Sequence, residues 1–244
     1  MRFLIKREYN DVALVIESPT EGYDIGVFLQ RDGVDGWNST PAPREDPISR
    51  TLTDGNYFPN TITQGSRTVT IRGVGFFESS IEAARFCDKV CSLVGKVLIL
   101  VCEDANGSRM CDCYISDAPS FTLKEADTVV LFTLIFTCPD PHKYGAPVHF
   151  ASSGNRCIVR NEGNAPTYPE IEVHSRITRL NVSLNGQSVK WSGNANYLYM
   201  NFRDMSVSSG KITVDNCFEI PPGKSELDID ADAPVEVIVS PAWR

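Results

Sequence analysis

Apolar and polar positions alternate along much of this chain, and the alternation is mostly that of strands. Residues 12–29, VALVIES and then IGVFL, read as two short strands separated by the turn formers Pro19, Gly22 and Asp24. Arg67 to Gly73 (RTVTIRG) sets Val69 and Ile71 against Thr68, Thr70 and Arg72, the period of a strand with one buried face. A helix is predicted next, over about 79–94. Ser79 or Ser80 caps it, Glu82 favours its first turn and Gly95 ends it, while Ile81, Ala84, Cys87, Cys91 and Val94 recur at steps of three and four as a core-facing stripe.

Two apolar runs in KVLILVCEDANGSRMCDCYIS flank Asn106-Gly107, a dipeptide that accepts the positive φ angles of a type I′ hairpin turn. That turn places Cys102 opposite Cys111 in a non-hydrogen-bonded pair, where Cβ atoms come closest. Residues 128–137 (TVVLFTLIFT) are β-branched and aromatic, reading as a strand buried on both faces that ends before Pro139 and Pro141. By contrast, Asp32 to Gly65 carries DGVDGWN, TPAPREDP and TDGNYFPN, too rich in Gly, Pro, Asp and Asn for regular structure. A structureless segment of that length usually has a partner to lie against.

A domain boundary is expected near Gly145. Beyond it, CIVRN, IEVHS, LNVSL, YLYMNF, KITVD and VEVIVS are separated by turns at Asn185-Gly186, Ser192-Gly193, Ser208-Ser209-Gly210 and Pro221-Pro222-Gly223, a spacing that predicts a small β-sandwich. The whole therefore predicts a mainly β chain. Residues 1–145 would form a β-sandwich-like domain with one helix, and residues 146–244 a second sandwich.

At 244 residues, 42% hydrophobic and 22% charged, the chain is large enough for one big β unit or two ordinary domains without help from disulfides or metals. The net charge is −8, with 20 acidic against 14 basic side chains before Gly145 and 11 against 9 after it. No run of Lys or Arg offers the clustered cations that tight binding to a phosphate backbone needs, although a negative surface suits a conduit that DNA slides past. At the N-terminus, Lys6, Arg7, Glu8 and Asp11 interrupt the apolar residues, so no secretory leader is expected, and no apolar stretch nears the roughly 18 residues that span a bilayer. Synthesis and residence in a cytoplasm follow, with the eight cysteines read as reduced thiols.

Candidate chemistry is sparse. Cys87-x3-Cys91 and Cys111-x-Cys113 offer four sulfurs, but neither is a C-x2-C knuckle, and all four read as small core residues rather than zinc ligands. His142, His149 and His174 stand in no spacing that orients two ligands or a catalytic dyad, and each reads as an ordinary loop or strand residue. Asp228, Asp230 and Asp232 alternate as a solvated strand face, without the glycine and distant glutamate of a calcium loop. Neither a nucleophile elbow nor a Walker loop is present, and no catalytic, cofactor-binding or metal-binding residue is assigned. Trp191, Tyr197, Tyr199 and Phe202 form an aromatic group that could stack on sugar faces, or equally pack inside a sandwich.

From Asn161 the chain reads NEGNAPTYPEIEV, which resembles the opening of the second domain in siphophage distal tail proteins. RTVTIRGVG, TCPDPHKYG and the closing PPGKSELDIDADAPVEVIVSPAWR, with Trp243, agree with the same family in the same order; residues 1–60 are only loosely similar. The resemblance implies a ring, usually of six subunits, whose first domains surround a channel for DNA and tape-measure protein. The second domains, galectin-like or carbohydrate-binding-module-like in fold, would project outward. Such a ring joins the tail tube to tail-associated or baseplate proteins in the virion tail tip, is assembled in the host cytoplasm, inserts in no membrane and turns over no substrate. On this resemblance 32–65 becomes an arm that clasps a neighbouring subunit, with Trp37, Tyr57 and Phe58 as its contact residues. Two other classes compete: a module binding host glycans through the aromatic group, expected as a monomer or weak oligomer, and a tail-tube protein, expected to stack ring upon ring.

Overall fold

The computed structural model describes residues 1–19, 25–44, 48–59 and 61–244. Two of the expected turn formers, Gly22 and Asp24, lie outside these residues, as do Glu45, Asp46, Pro47 and Asn60 of the long irregular segment. The chain divides into two compact units, Met1–His142 and Lys143–Arg244.

The first unit contains β1 (Arg2–Glu8), β2 (Asp11–Glu17), β3 (Gly26–Asp35), β4 (Arg67–Phe76), α1 (Ser80–Cys91), β5 (Leu98–Asp104), β6 (Gly107–Ile115), β7 (Ser120–Lys124) and β8 (Val129–Cys138). Neighbouring strands run β6-β5-β1-β2-β3-β4-β8, and β8 then meets β6 again, so seven strands close into a barrel. The expected β-sandwich-like arrangement is corrected to this closed form. Two of its seams are thin among the described residues: β2 meets β3 in parallel at Glu17↔Phe28, and β6 meets β8 at Tyr114↔Thr137 and Ile115↔Phe136. The far edge of β8 is shared, because β7 pairs with Val129–Thr133 beyond the reach of β6.

The barrel interior is filled. Phe3, Ile5, Ile16, Val69, Ile71, Leu98, Leu100, Leu134 and Phe136 are buried in a single cluster that also takes in the helix residues Ala83, Phe86 and Val90. β1 is an element the sequence pattern did not isolate: Phe3, Leu4 and Ile5 are buried in succession rather than alternately, so period two is lost there. In β8, buried residues alternate with half-buried ones, so one face is interior and the other only partly covered, against the expectation of two buried faces.

Ser79 caps α1, its side chain accepting from Glu82 N at 3.3 Å, and Ser92 caps the C-terminus ahead of Gly95. Its buried stripe is Ala83, Phe86 and Val90, continued by Leu93, whereas Ile81, Ala84, Cys91 and Val94 are exposed. The expected stripe was therefore rotated by about one residue. Both sets recur at steps of three and four, and the larger buried area of Phe86, packed against Phe77 and Phe132 at ring-centroid distances of 5.2 and 5.4 Å, decides between them.

The hairpin between β5 and β6 forms, but its turn lies one residue earlier than expected, which moves each cross-strand partner by two. Gly107 takes φ 102° after the tight turn, whose central residues are Ala105 and Asn106, and Asp104 Oδ1 accepts from Asn106 N at 2.7 Å. Cys102 consequently faces Arg109, and Cys111 faces Leu100.

The second unit comprises β9 (Lys143–Tyr144), β10 (Val148–Ala151), β11 (Arg156–Asn161), β12 (Glu170–Val173), β13 (Ile177–Leu184), β14 (Gln187–Ala195), β15 (Leu198–Asn201), β16 (Ser206–Val207), β17 (Lys211–Asp215), β18 (Gly223–Ala231), β19 (Glu236–Val239) and β20 (Ala242–Trp243). Two five-stranded antiparallel sheets, β10-β19-β12-β15-β16 and β11-β18-β13-β14-β17, share one core containing Ile171, Val173, Met200 and Val237 from the first and Val159, Val182, Trp191 and Leu227 from the second. Ser192-Gly193, expected as a turn, lies inside β14, where the pairing with β13 shifts register between Ile177 and Arg179.

Candidate interaction surfaces

After β3 the chain leaves the barrel sheet and rejoins it at β4, and one side chain clamps the root of this excursion. Arg67, the first residue of β4, is buried. Its Nε donates to Pro141 O at 2.9 Å, and its Nη1 donates to Gly36 O at 2.7 Å and to the carbonyls of Trp37 and Ser39. Burial lowers the pKa of the guanidinium, and four backbone acceptors in its reach hold the charge in place. Sequence reasoning read Arg67 only as the start of a strand; no local pattern reveals which distant carbonyls an arginine will meet.

Beyond the root, two legs lie side by side. Gly65 N donates to Ala42 O and Arg44 N to Thr63 O near the base, while Tyr57 N donates to Ile48 O and Arg50 N to Gly55 O farther out. Arg50 also sits over the Tyr57 ring, 5.7 Å from its centroid. Among the described residues of the legs, Leu52 is 95% and Phe58 86% exposed, and Ile48, Tyr57 and Ile62 are also exposed. Trp37, expected among the contact residues of the arm, is corrected. It is 1% exposed in the barrel core, edge-on to Phe3 at 5.5 Å, because the clamp on Gly36, Trp37 and Ser39 holds it inside. Tyr57 and Phe58 stay on the surface.

Of the aromatic group expected in the second unit, two members are removed from the surface. Trp191 and Phe202 are each 1% exposed in the core; Trp191 Nε1 donates to Ser209 O at 2.7 Å, and Phe202 packs edge-on to Phe218. Their ring faces are spent on packing and are closed to a sugar. Tyr197 and Tyr199 lie on the outer side of the first sheet, their hydroxyls donating to Glu172 Oε1 at 3.2 Å and Glu170 Oε2 at 2.8 Å. Partial burial and the neighbouring Glu170 push the Tyr199 phenol up to about 12.

Carboxylates of the β18 segment are engaged locally. Asp232 accepts from the Thr178 hydroxyl, from Thr178 N and from Arg179 N, which draws it down to about 2, and Asp230 pairs with Arg179 at 3.4 Å. All eight cysteines are free thiols. Cys111, Cys113 and Cys138 are buried together in the barrel; Cys87 is half-buried against the same core, whereas Cys91 is exposed and is not the core residue expected. The thiols of Cys111 and Cys113 can both donate to the Cys138 sulfur. With Arg67 nearby, this holds Cys138 below the ordinary thiol range and its two neighbours above it.

The NEGN segment is a polar knot. Asn161, buried, donates from Nδ2 to Ala165 O at 2.8 Å and Ile220 O at 3.1 Å, while its Oδ1 accepts from Gly163 N at 2.9 Å and Ala242 N at 3.4 Å. A Cβ on Gly163 would lie 1.8 Å from Ala242 O, so only glycine lets the last strand pass this close.

By sequence, no family model and no curated protein matches the chain. By structure, it is similar over 99% of its length to SPP1 Dit, a protein presented as a paradigm of the hub adsorption apparatus in Gram-positive infecting phages. That likeness covers 99% of that chain at a TM-score of 0.69 and 16% identity. It is also similar to a chain of the phage P2 baseplate in its activated conformation with Ca, over 99% of this chain and 98% of that one, at a TM-score of 0.50 and 12% identity. The chain has the fold of a phage distal tail protein. No helix among the described residues is long and apolar enough to cross a membrane.

Proposed function

We propose that this protein is a structural component of the tip of a long, non-contractile phage tail, acting as a distal-tail-type hub that builds a ring, taken as a hexamer, between the tail tube and the tail-associated or baseplate proteins. The observation that carries this reading is the likeness to SPP1 Dit along both units and nearly the whole of each chain. Physical features of the chain support it. The barrel is packed with side chains, so a passage for DNA and tape-measure protein has to run between copies rather than through one. An arm carrying Leu52, Tyr57 and Phe58 in water is what a heterologous contact around a ring would cover. A net charge of −8 without basic clusters suits passage of DNA rather than its capture.

A galectin-like second unit and assembly in the host cytoplasm belong to the same reading. The glycan-binding alternative is weaker on the geometry, since Trp191 and Phe202 are core residues and the hydroxyls of Tyr197 and Tyr199 already bind glutamates. Light scattering with electron microscopy of the same purified sample tests the proposal. A closed ring is expected; a monomer at every concentration and with every tail partner, or a growing tube, rejects it. Replacing residues 43–64 by a short linker, which spares the Arg67 clamp, should abolish the ring, and an intact ring after that change would remove the arm from the assembly.

A further inference from the structure

Two of the three histidines in the chain meet two glutamates on the outer side of the β10-β19-β12 sheet. Glu172 on β12 and Glu236 on β19 are direct partners in the ladder, an arrangement in which like charges repel. His174, two positions beyond Glu172, places Nε2 3.1 Å from Glu172 Oε2 and 3.8 Å from Glu236 Oε2. From the other side, His149 on β10 brings Nδ1 within 3.3 Å of Glu236 Oε1. One donor atom each from Glu172, His174 and Glu236 lies within 4.8 Å of the others, at a shallow depression floored by Ala151, Ser175 and Val235.

We infer that Glu172, His174 and Glu236, with His149 at the rim, form a binding site for a divalent cation of the zinc class. Two adjacent carboxylates offer negative charge and an imidazole offers a lone pair, and a dication uses both. Metal–donor bonds of about 2.0–2.1 Å in a tetrahedron separate donors by about 3.3 Å, and the observed 3.1 and 3.8 Å bracket that value. Mixed nitrogen and oxygen donors favour zinc, cobalt or nickel over calcium, which takes six to eight oxygens. Tyr197 supplies the outer support: its hydroxyl binds Glu172 Oε1 and so leaves Oε2 turned to the centre, and its ring lies 5.5 Å from that of His174. The site joins three strands that are distant in sequence, which is why no spacing motif announces it.

The test is calorimetric titration of the full chain, stripped with chelator, with Zn2+, alongside visible absorption spectra with Co2+ as a reporter of coordination. One ion per chain is expected, with the bands of a low-coordinate Co2+ complex. His174→Ala and Glu236→Gln should each weaken binding about tenfold or more. His142→Ala, in the other unit, should not. Circular dichroism of the exposed-site variants should match the parent, which separates loss of ligands from loss of fold. The inference is overturned by absence of stoichiometric binding, by binding that survives both substitutions and therefore belongs to thiols such as Cys87 and Cys91, or by Ca2+ displacing Zn2+ at equal concentration.

Discussion

Cys111 Sγ lies 3.2 Å from Cys138 Sγ, a contact between β6 and β8 at the closing seam of the barrel. Sequence pairing across the Asn106-Gly107 turn pointed instead to Cys102 and Cys111, which the observed register separates. When the chain is oxidised with glutathione disulfide, two thiols release two protons and two electrons, and the expected product is a Cys111–Cys138 bond. Peptide mass mapping reads the outcome; a Cys102–Cys111 product would contradict the register. Alkylation of the unoxidised protein should reach the exposed Cys91 well before either buried thiol.

Arg67→Ala should destabilise the first unit by about 3 kcal/mol, because four carbonyls lose a charged donor and those deeper in the unit stay dry. Urea denaturation followed by Trp fluorescence measures it. Proteolysis near the arm root should accelerate in the same variant, and unchanged stability would show that the clamp is dispensable.

The two stripes of α1 separate cleanly by substitution. Phe86→Ala should cost about 3–5 kcal/mol through lost burial and the cavity left among Phe77, Phe121 and Phe132. Ile81→Ser and Val94→Ser should each change the stability of the isolated chain by less than about 0.5 kcal/mol.

Leu52→Ser and Phe58→Ser should leave the thermal midpoint of a single chain within about 2 °C of the parent while shifting the association equilibrium toward smaller species. Sedimentation velocity over a concentration series reads both states. Assemblies of unchanged size and stability would mean that the arm touches something other than a second copy.

Asp232 has its folded-state pKa drawn down to about 2 from the ordinary 3.8, so its carboxylate contributes stability that is present above about pH 4 and lost as pH falls toward 2. Asp232→Asn should remove that part of the acid sensitivity. Acid titrations of the parent and the variant, followed by circular dichroism, should converge below pH 2. Parallel curves across the whole range would show that the Thr178 contacts do not favour the charged form.

Much of the fold was legible because it is local. The period of RTVTIRG, the Ser79 cap and the strands CIVRN and KITVD depend on neighbours in sequence, and each appears where the pattern places it. What depended on distant partners was not. Closure of the barrel rests on β6 meeting β8; the burial of Trp37 rests on Arg67; and the choice between helix stripes rests on Phe132, 46 residues beyond Phe86. Aromatic rings in a strand carry no mark of which face is covered, so Trp191 and Phe202 went to the core while Tyr197 stayed in water. The cluster at His149, His174, Glu172 and Glu236 was invisible for the same reason, being a product of sheet order.

The thin seams of the barrel have a mechanical meaning. The blocks β6-β5-β1-β2 and β3-β4-β8-β7 are each zipped along most of their strands, yet among the described residues one pair joins them at β2–β3 and two at β6–β8. A pulling load on this unit would therefore be felt first as two half-shells parting like a clam, with amide exchange at Glu17 and Ile115 rising long before the middle of either shell yields.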